Sequence, residues 1–252
     1  MAILDVKNLS ISFGGLRAVD NFEIDILENE LVGLIGPNGA GKTTIFNLLT
    51  GVYKPSEGEI LLNGKSTLQK KPNEIVMLGS SRTFQNIRLF KSMSVLDNIR
   101  VAYHNHMKYS ILSGVFKTRR FIEEEGKSKE VARKLLDVFG MADKENVLAS
   151  NLPYGQQRKL EIARALATGP KLLLLDEPAA GMNPQETEEL MHTIRFIKDN
   201  FKVSILLIEH DMKLVMGICE RIVVVDYGKI IAKGSPDEIR KNPAVIKAYL
   251  GA

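Results

Sequence analysis

The chain has 252 residues, 44% of them hydrophobic and 25% charged, which is enough to bury a core of one to two domains without disulfide or metal staples and excludes disordered, collagen-like and coiled-coil chains. Its 34 Lys and Arg exceed its 30 Asp and Glu by a formal +4, with a pI near 9.0. That excess raises nucleic acid or an anionic surface as a partner only if the charge is spread over one face.

In chain order, residues 3–13 and 22–26 alternate apolar and polar with Gly14 and Gly15 between them, which predicts an antiparallel hairpin. Residues 32–35, 172–175 and 205–208 are continuously apolar, the pattern of parallel strands covered on both faces. Helical periodicity occupies 42–50, stopped by Gly51; 127–139, stopped by Gly140; 157–167; and 184–198, opened by Pro184. Residues 94–149 show no buried-strand pattern and are read as a helical subdomain inserted into an α/β core made of 1–93 and 150–252. The end of the chain predicts a hairpin turning at Tyr227 and Gly228, then two short helices, the second opened by Asn242 and Pro243. No apolar run approaches the roughly 18 residues of a spanning helix, and the strand-like start is unlike a signal peptide, so a cytoplasmic location is expected. The single Cys219 reads as a packing residue.

Gly36, Pro37, Asn38, Gly39, Ala40, Gly41, Lys42 and Thr43 fit G-x-x-x-x-G-K-[ST], between a buried strand and a helix that continues with Thr44. In that context the glycines let backbone N–H groups close on phosphate oxygens, Lys42 neutralises the β and γ phosphates, and the Thr43 hydroxyl is a candidate Mg²⁺ ligand. The strand 172–175 ends in Asp176 and Glu177, placed where open α/β sheets bind ligands. Asp176 suits direct or water-mediated Mg²⁺ binding, and Glu177 suits the base that polarises an attacking water. The third buried strand ends in Glu209, His210 and Asp211. Asp211 is expected to cap the helix from Met212, and His210 either holds the attacking water or has a structural role.

These motifs resemble the ATP-binding subunits of ABC transporters, with a likeness running from Met1 to about Gly251. The resemblance implies an ABC cassette fold: a parallel-sheet core, an antiparallel β layer and an inserted helical subdomain. It also implies that Phe13 stacks on adenine, that Gln85 links Mg²⁺ and the attacking water to a transmembrane partner, and that His210 is the family's switch histidine. By pattern alone Phe13 would be a core aromatic and Gln85 a loop amide. The family signature, usually Leu-Ser-Gly-Gly-Gln, falls on Leu152, Pro153, Tyr154, Gly155 and Gln156. In the family this segment covers ATP bound to a second cassette. Because Pro153 offers neither hydroxyl nor N–H, the contact is expected from the Gly155 and Gln156 N–H groups, with weaker nucleotide-driven dimerisation. Asn183 stands where most relatives carry Asp and keeps the capacity to cap the helix from Pro184.

The signature 154–157, the loop 179–184, the run 208–217 and the ending 242–251 resemble LivG-type ATPases of branched-chain amino acid importers. The implied partners are integral membrane permease subunits, a second ABC ATPase, with a heterodimer favoured over a homodimer, and indirectly a solute-binding protein. ATP and Mg²⁺ are the implied ligands, and the implied location is peripheral on the cytoplasmic face of the membrane. Lipopolysaccharide-export ATPases generally keep the serine-glycine signature and lack the insertion around 104–121. A soluble ATPase of iron-sulfur assembly is a further alternative, and a DNA-repair ATPase would need long heptad arms that are absent between 44 and 152. Leu89, Phe90 and Met93 are read either as a groove for a coupling helix or as core of the helical subdomain.

Residues 104–121 hold Lys108, Lys117, Arg119 and Arg120 and no acid, which accounts for the whole net charge. A charge so localised argues against nucleic acid. With Ile111, Leu112, Val115 and Phe116 interleaved, the segment is expected either to approach anionic headgroups or an acidic partner, or to be simply solvated.

Overall fold

A computed structural model describes residues 2–250, with all their side chains except those of Ile111 and Leu250; Met1, Gly251 and Ala252 lie outside the described residues. The chain forms two compact units, Met1–Gln85 with Lys171–Ala252, and Asn86–Pro170.

The larger unit opens with β1 (Ala2–Phe13) and β2 (Leu16–Leu27), paired antiparallel. β2 starts at Leu16, ahead of the predicted 22, because the Gly14 turn (φ 56°) lets Phe13 pair directly with Leu16 while exposed Arg17 and Asn21 blur the alternation. β3 (Leu31–Ile35) is buried at every position and leads into α1 (Lys42–Leu49). Next come β4 (Glu57–Leu62), β5 (Lys65–Ser66), α2 (Pro72–Met77) and β6 (Ser80–Arg82). These four are too short or too polar to stand out as a hydrophobic pattern. The order β2-β1-β4-β5 makes an antiparallel sheet.

The smaller unit contains α3 (Val95–Tyr103), α4 (Ile111–Val115), α5 (Arg119–Val138) and α6 (Tyr154–Leu166). α5 begins at Arg119, not 127, under a Thr118 cap that accepts from the Phe121 N–H. The early start places Arg119 within 2.9 Å of Glu123 and Arg120 within 3.6 Å of Glu124. The charge excess of 104–121 is therefore largely offset by the next turn of the same helix. Leu112, Val115 and Phe116 are exposed; the side chain of Ile111 lies outside the described residues.

The chain returns to the larger unit with β7 (Leu172–Asp176), α7 (Pro184–Phe201), β8 (Ser204–Ile208), α8 (Met212–Ile218), β9 (Arg221–Asp226), β10 (Lys229–Gly234), α9 (Pro236–Lys241) and α10 (Pro243–Leu250). Asn183 caps α7 in a capping box with Glu186, and Asp211 caps α8, both as expected. The order β10-β9-β3-β8-β7-β6 makes a six-stranded sheet, parallel except for the β9–β10 hairpin at Tyr227 and Gly228. All fifteen positions of β3, β7 and β8 are buried, each large side chain contributing about 1.5–3 kcal/mol of transfer free energy. One cluster joins both sheets through Ile45, Phe46, Leu48 and Leu49 of α1. Cys219 is buried, which pushes its thiol up and leaves it inert.

Candidate active site

β3, β8 and β7 are neighbours, and their registers pair Leu34 with Ile208 and Ile208 with Asp176. The segments that follow these strands therefore emerge at one edge of the sheet. From β3 comes the glycine loop. Gly36 has φ 156°, and a Cβ there would sit 2.0 Å from the Val225 carbonyl oxygen; Gly41 has φ 102°, and its Cβ would meet the Ala18 carbonyl at 2.8 Å. No side chain fits at either position. α1 has Gly41 as its N-cap and no side-chain cap, so its first N–H groups and dipole are left for an anion. Lys42 Nζ donates to the Gly36 and Pro37 carbonyls at 2.7 and 2.9 Å. Burial lowers the Lys42 pKa from its ordinary value, against the opposing pull of the Glu177 and Asp176 charges.

From β7 come Asp176, buried, and Glu177, held at φ 48°, a left-handed conformation that glutamate rarely adopts. Glu177 Oε1 lies 2.9 Å from His210 Nε2, and Gln85 Nε2 donates to Glu177 Oε2 at 2.9 Å. The loops after β6, β7 and β8 are thereby joined on one carboxylate. His210 and Gln85 thus both meet Glu177.

Two residues without an assigned role in the sequence belong to this edge. Glu209 is buried and accepts from the N–H groups of Ala179 at 2.7 Å, His210 at 3.0 Å and Asp211 at 3.5 Å. It ties the loop after Glu177 to the loop that carries His210. Burial pushes its carboxyl pKa up, against these hydrogen bonds. Arg82, at the end of β6, donates to Asp176 Oδ2 at 2.7 Å. A charged residue closing an apolar strand was the available signal for Glu209; Arg82 had none, because β6 itself is not evident in the sequence.

Phe13 is 45% exposed and meets Tyr53 edge-on at 5.2 Å between ring centroids, so it is not a core aromatic. It lines, with the glycine loop, Thr43, Thr44, Gln85, Glu177 and His210, a cleft of about 520 Å³.

In the smaller unit, α6 starts at Tyr154, so Gly155 and Gln156 fall in its first turn. Pro153 is the N-cap and supplies no side-chain cap. The Tyr154 hydroxyl accepts from Arg158 Nη2 at 3.0 Å, and the Gln156 amide oxygen accepts from Lys144. Phe90 is 48% exposed under the Arg164 guanidinium, while Leu89 and Met93 are partly buried.

The ABC transporter family pattern matches residues 19–180. The chain belongs to the ABC transporter family. Within it, this ABC ATPase is 49% identical over 249 residues to the high-affinity branched-chain amino acid transport ATP-binding protein LivG of Escherichia coli (strain K12), covering 99% of this chain and 98% of LivG. It is 48% identical, with the same coverage, to BraF of Pseudomonas aeruginosa. A second pattern, described as branched-chain amino acid ATP-binding cassette transporter, matches 229–252. Among solved structures, the ADP conformation of MJ1267, an ATP-binding cassette of an ABC transporter, superposes with a TM-score of 0.86 at 30% identity and full coverage of both chains. The chain is thus a LivG-type ATP-binding cassette with the ABC fold.

Proposed function

We propose that this ATPase powers uptake of branched-chain amino acids by hydrolysing ATP on the edge formed by β3, β7 and β8. The observation that carries the hydrolytic reading is the Glu177 carboxylate gripped by His210 and Gln85 beside the uncapped start of α1. The substrate class is supported by the full-length likeness to LivG and BraF.

The N–H groups of the glycine loop and Lys42 bind the phosphates, Lys42 exchanging the Gly36 and Pro37 carbonyls for phosphate oxygens, and adenine stacks on Phe13. Glu177 accepts a proton from water as the water oxygen bonds to the γ-phosphorus and the bond to the bridging oxygen of ADP breaks, releasing ADP and phosphate. His210 and Gln85 orient Glu177 for that transfer.

The donors fit Mg²⁺. Thr43, Asp176 and Gln85 offer hard oxygens, and among the described residues no group of three or more His, Cys, Asp or Glu gathers to hold a metal without the substrate, as suits an ion that takes phosphate and water for its other ligands. When bound, Mg²⁺ neutralises the charge that develops on the phosphate oxygens. Gly155 and Gln156, at the uncapped start of α6, cover the nucleotide of a second, related cassette.

Among the described residues no helix is long and apolar enough to cross a membrane. The cassette docks on permease subunits at the cytoplasmic face, with Phe90 at the contact. Reconstitution with its permease subunits, second cassette and solute-binding protein in proteoliposomes tests the whole reading: ATP-dependent leucine uptake is expected and should vanish with Glu177→Gln. Co-purification with soluble proteins alone, or hydrolysis without uptake of leucine, isoleucine or valine, would overturn it.

A further inference from the structure

We propose that Arg82 is a positioning residue that sets the Asp176 carboxylate relative to Thr43; this rests on reading Thr43 and Asp176 as ligands of Mg²⁺. Arg82 closes β6 in register with Leu174 of β7. Its Nη2 donates to Asp176 Oδ2 at 2.7 Å, and its Nη1 donates to Asn47 Oδ1 at 2.7 Å. The guanidinium carbon lies over the ring of Phe46, 5.3 Å from the centroid, and over that of Phe84, 5.2 Å away.

The pair is buried, with side chains 7% and 4% exposed. Desolvation makes a buried ion pair a poor source of stability, and apolar replacements of the same volume are often neutral or better. What this pair supplies is geometry. Contact with two ring faces, one carboxylate oxygen of Asp176, the amide oxygen of Asn47 and, at 3.4 Å, the Thr50 hydroxyl restricts the orientation of the guanidinium. Asn47 is one helical turn beyond Thr43 on α1, so both share one face of that helix. Arg82 therefore spans from the helix that carries Thr43 to the strand that carries Asp176. It engages one carboxylate oxygen; Asp176 Oδ1 makes no hydrogen bond or ion pair among the described residues, which leaves it for a cation.

The test is a titration of the full chain with Mn²⁺, followed by electron paramagnetic resonance in the presence of a non-hydrolysable ATP analogue. Arg82→Met should weaken Mn²⁺ binding about tenfold or more, the usual effect of removing the partner that orients a metal ligand, and Arg82→Lys should recover part of it. Nucleotide binding in EDTA should stay within about twofold, because the phosphate-binding N–H groups and Lys42 are untouched. Unchanged or tighter Mn²⁺ binding in Arg82→Met overturns the inference, the tighter result meaning that the arginine merely repels the cation. Should Arg82→Met fail to fold, the double variant Asn47→Ala with Thr50→Val decides: it keeps the ion pair and removes both acceptors of Nη1, so weakened Mn²⁺ binding supports positioning and wild-type binding overturns it. Asp176→Asn separates the two readings. Unchanged Mn²⁺ binding there removes Asp176 as a ligand, whereas loss there with wild-type binding in Arg82→Met removes only the role of Arg82.

Discussion

Glu177 and His210 meet at 2.9 Å, Oε1 to Nε2, although Glu177 follows β7 and His210 follows β8. The backbone of Glu177 is left-handed (φ 48°), and its other carboxylate oxygen accepts from Gln85. A strained residue held at both oxygens has little rotamer freedom left, and each oxygen keeps a second lone pair for the proton of a water. Orientation and basicity are thus assigned to different residues, which separates the consequences of replacing them.

Replacing the base alone, Glu177→Gln, keeps the shape and the contact with one donor but removes the proton acceptor. Phosphate release should fall by at least about a hundredfold, while ATP still binds in equilibrium titration. An activity within tenfold of wild type would move the base elsewhere.

Removing the orienting group, His210→Ala, leaves the carboxylate in place with one oxygen unrestrained. The expected result is a fall in kcat of about ten- to a hundredfold with little change in KM for ATP. A rise in KM at constant kcat would instead make His210 a nucleotide-binding residue.

Phe13 is half-exposed at the mouth of the cleft, braced by Tyr53. Loss of a stacking face is worth about 1–3 kcal/mol per base, so Phe13→Ala should weaken ATP binding about tenfold and Phe13→Tyr should not. Fluorescent-nucleotide titration with both variants distinguishes stacking from a packing role, in which the alanine variant would lose thermal stability and keep its affinity.

Glu209 predicts a pH effect. Burial raises its folded-state pKa above the ordinary 4.5, so the native state holds more protons than the unfolded chain between those two values. The stabilising contribution of the protonated form is fully present below 4.5 and is lost as pH rises through the raised pKa. Glu209→Gln cannot titrate and should lack this decline, so the difference in melting temperature, variant minus wild type, should increase from acid to neutral pH. A difference that is flat with pH would refute the assignment.

The charged tip of the smaller unit shows how much rests on a helix boundary. Lys108, Lys117, Arg119 and Arg120 read as a basic island only while the helix is taken to start at 127. Once Arg119 opens α5, Glu123 and Glu124 stand one turn away and pair with the arginines. Local sequence contained both partners, but polar residues in the first turns of α5 hide its start.

The glycine loop, the buried parallel strands and the acid pair after β7 were legible in the sequence because each is a short contiguous stretch whose chemistry depends on its own backbone: left-handed glycines, an uncapped helix start, strands apolar on both faces. Only the tertiary structure decided which side chains meet. Arg82 and Asp176 are 94 residues apart, Gln85 and Glu177 are 92 apart, and His210 and Glu177 are 33 apart. Their contacts follow from the order in which β6, β7, β8 and β3 line up in one sheet, and strand order is set by packing between distant segments, which no local pattern of residues records.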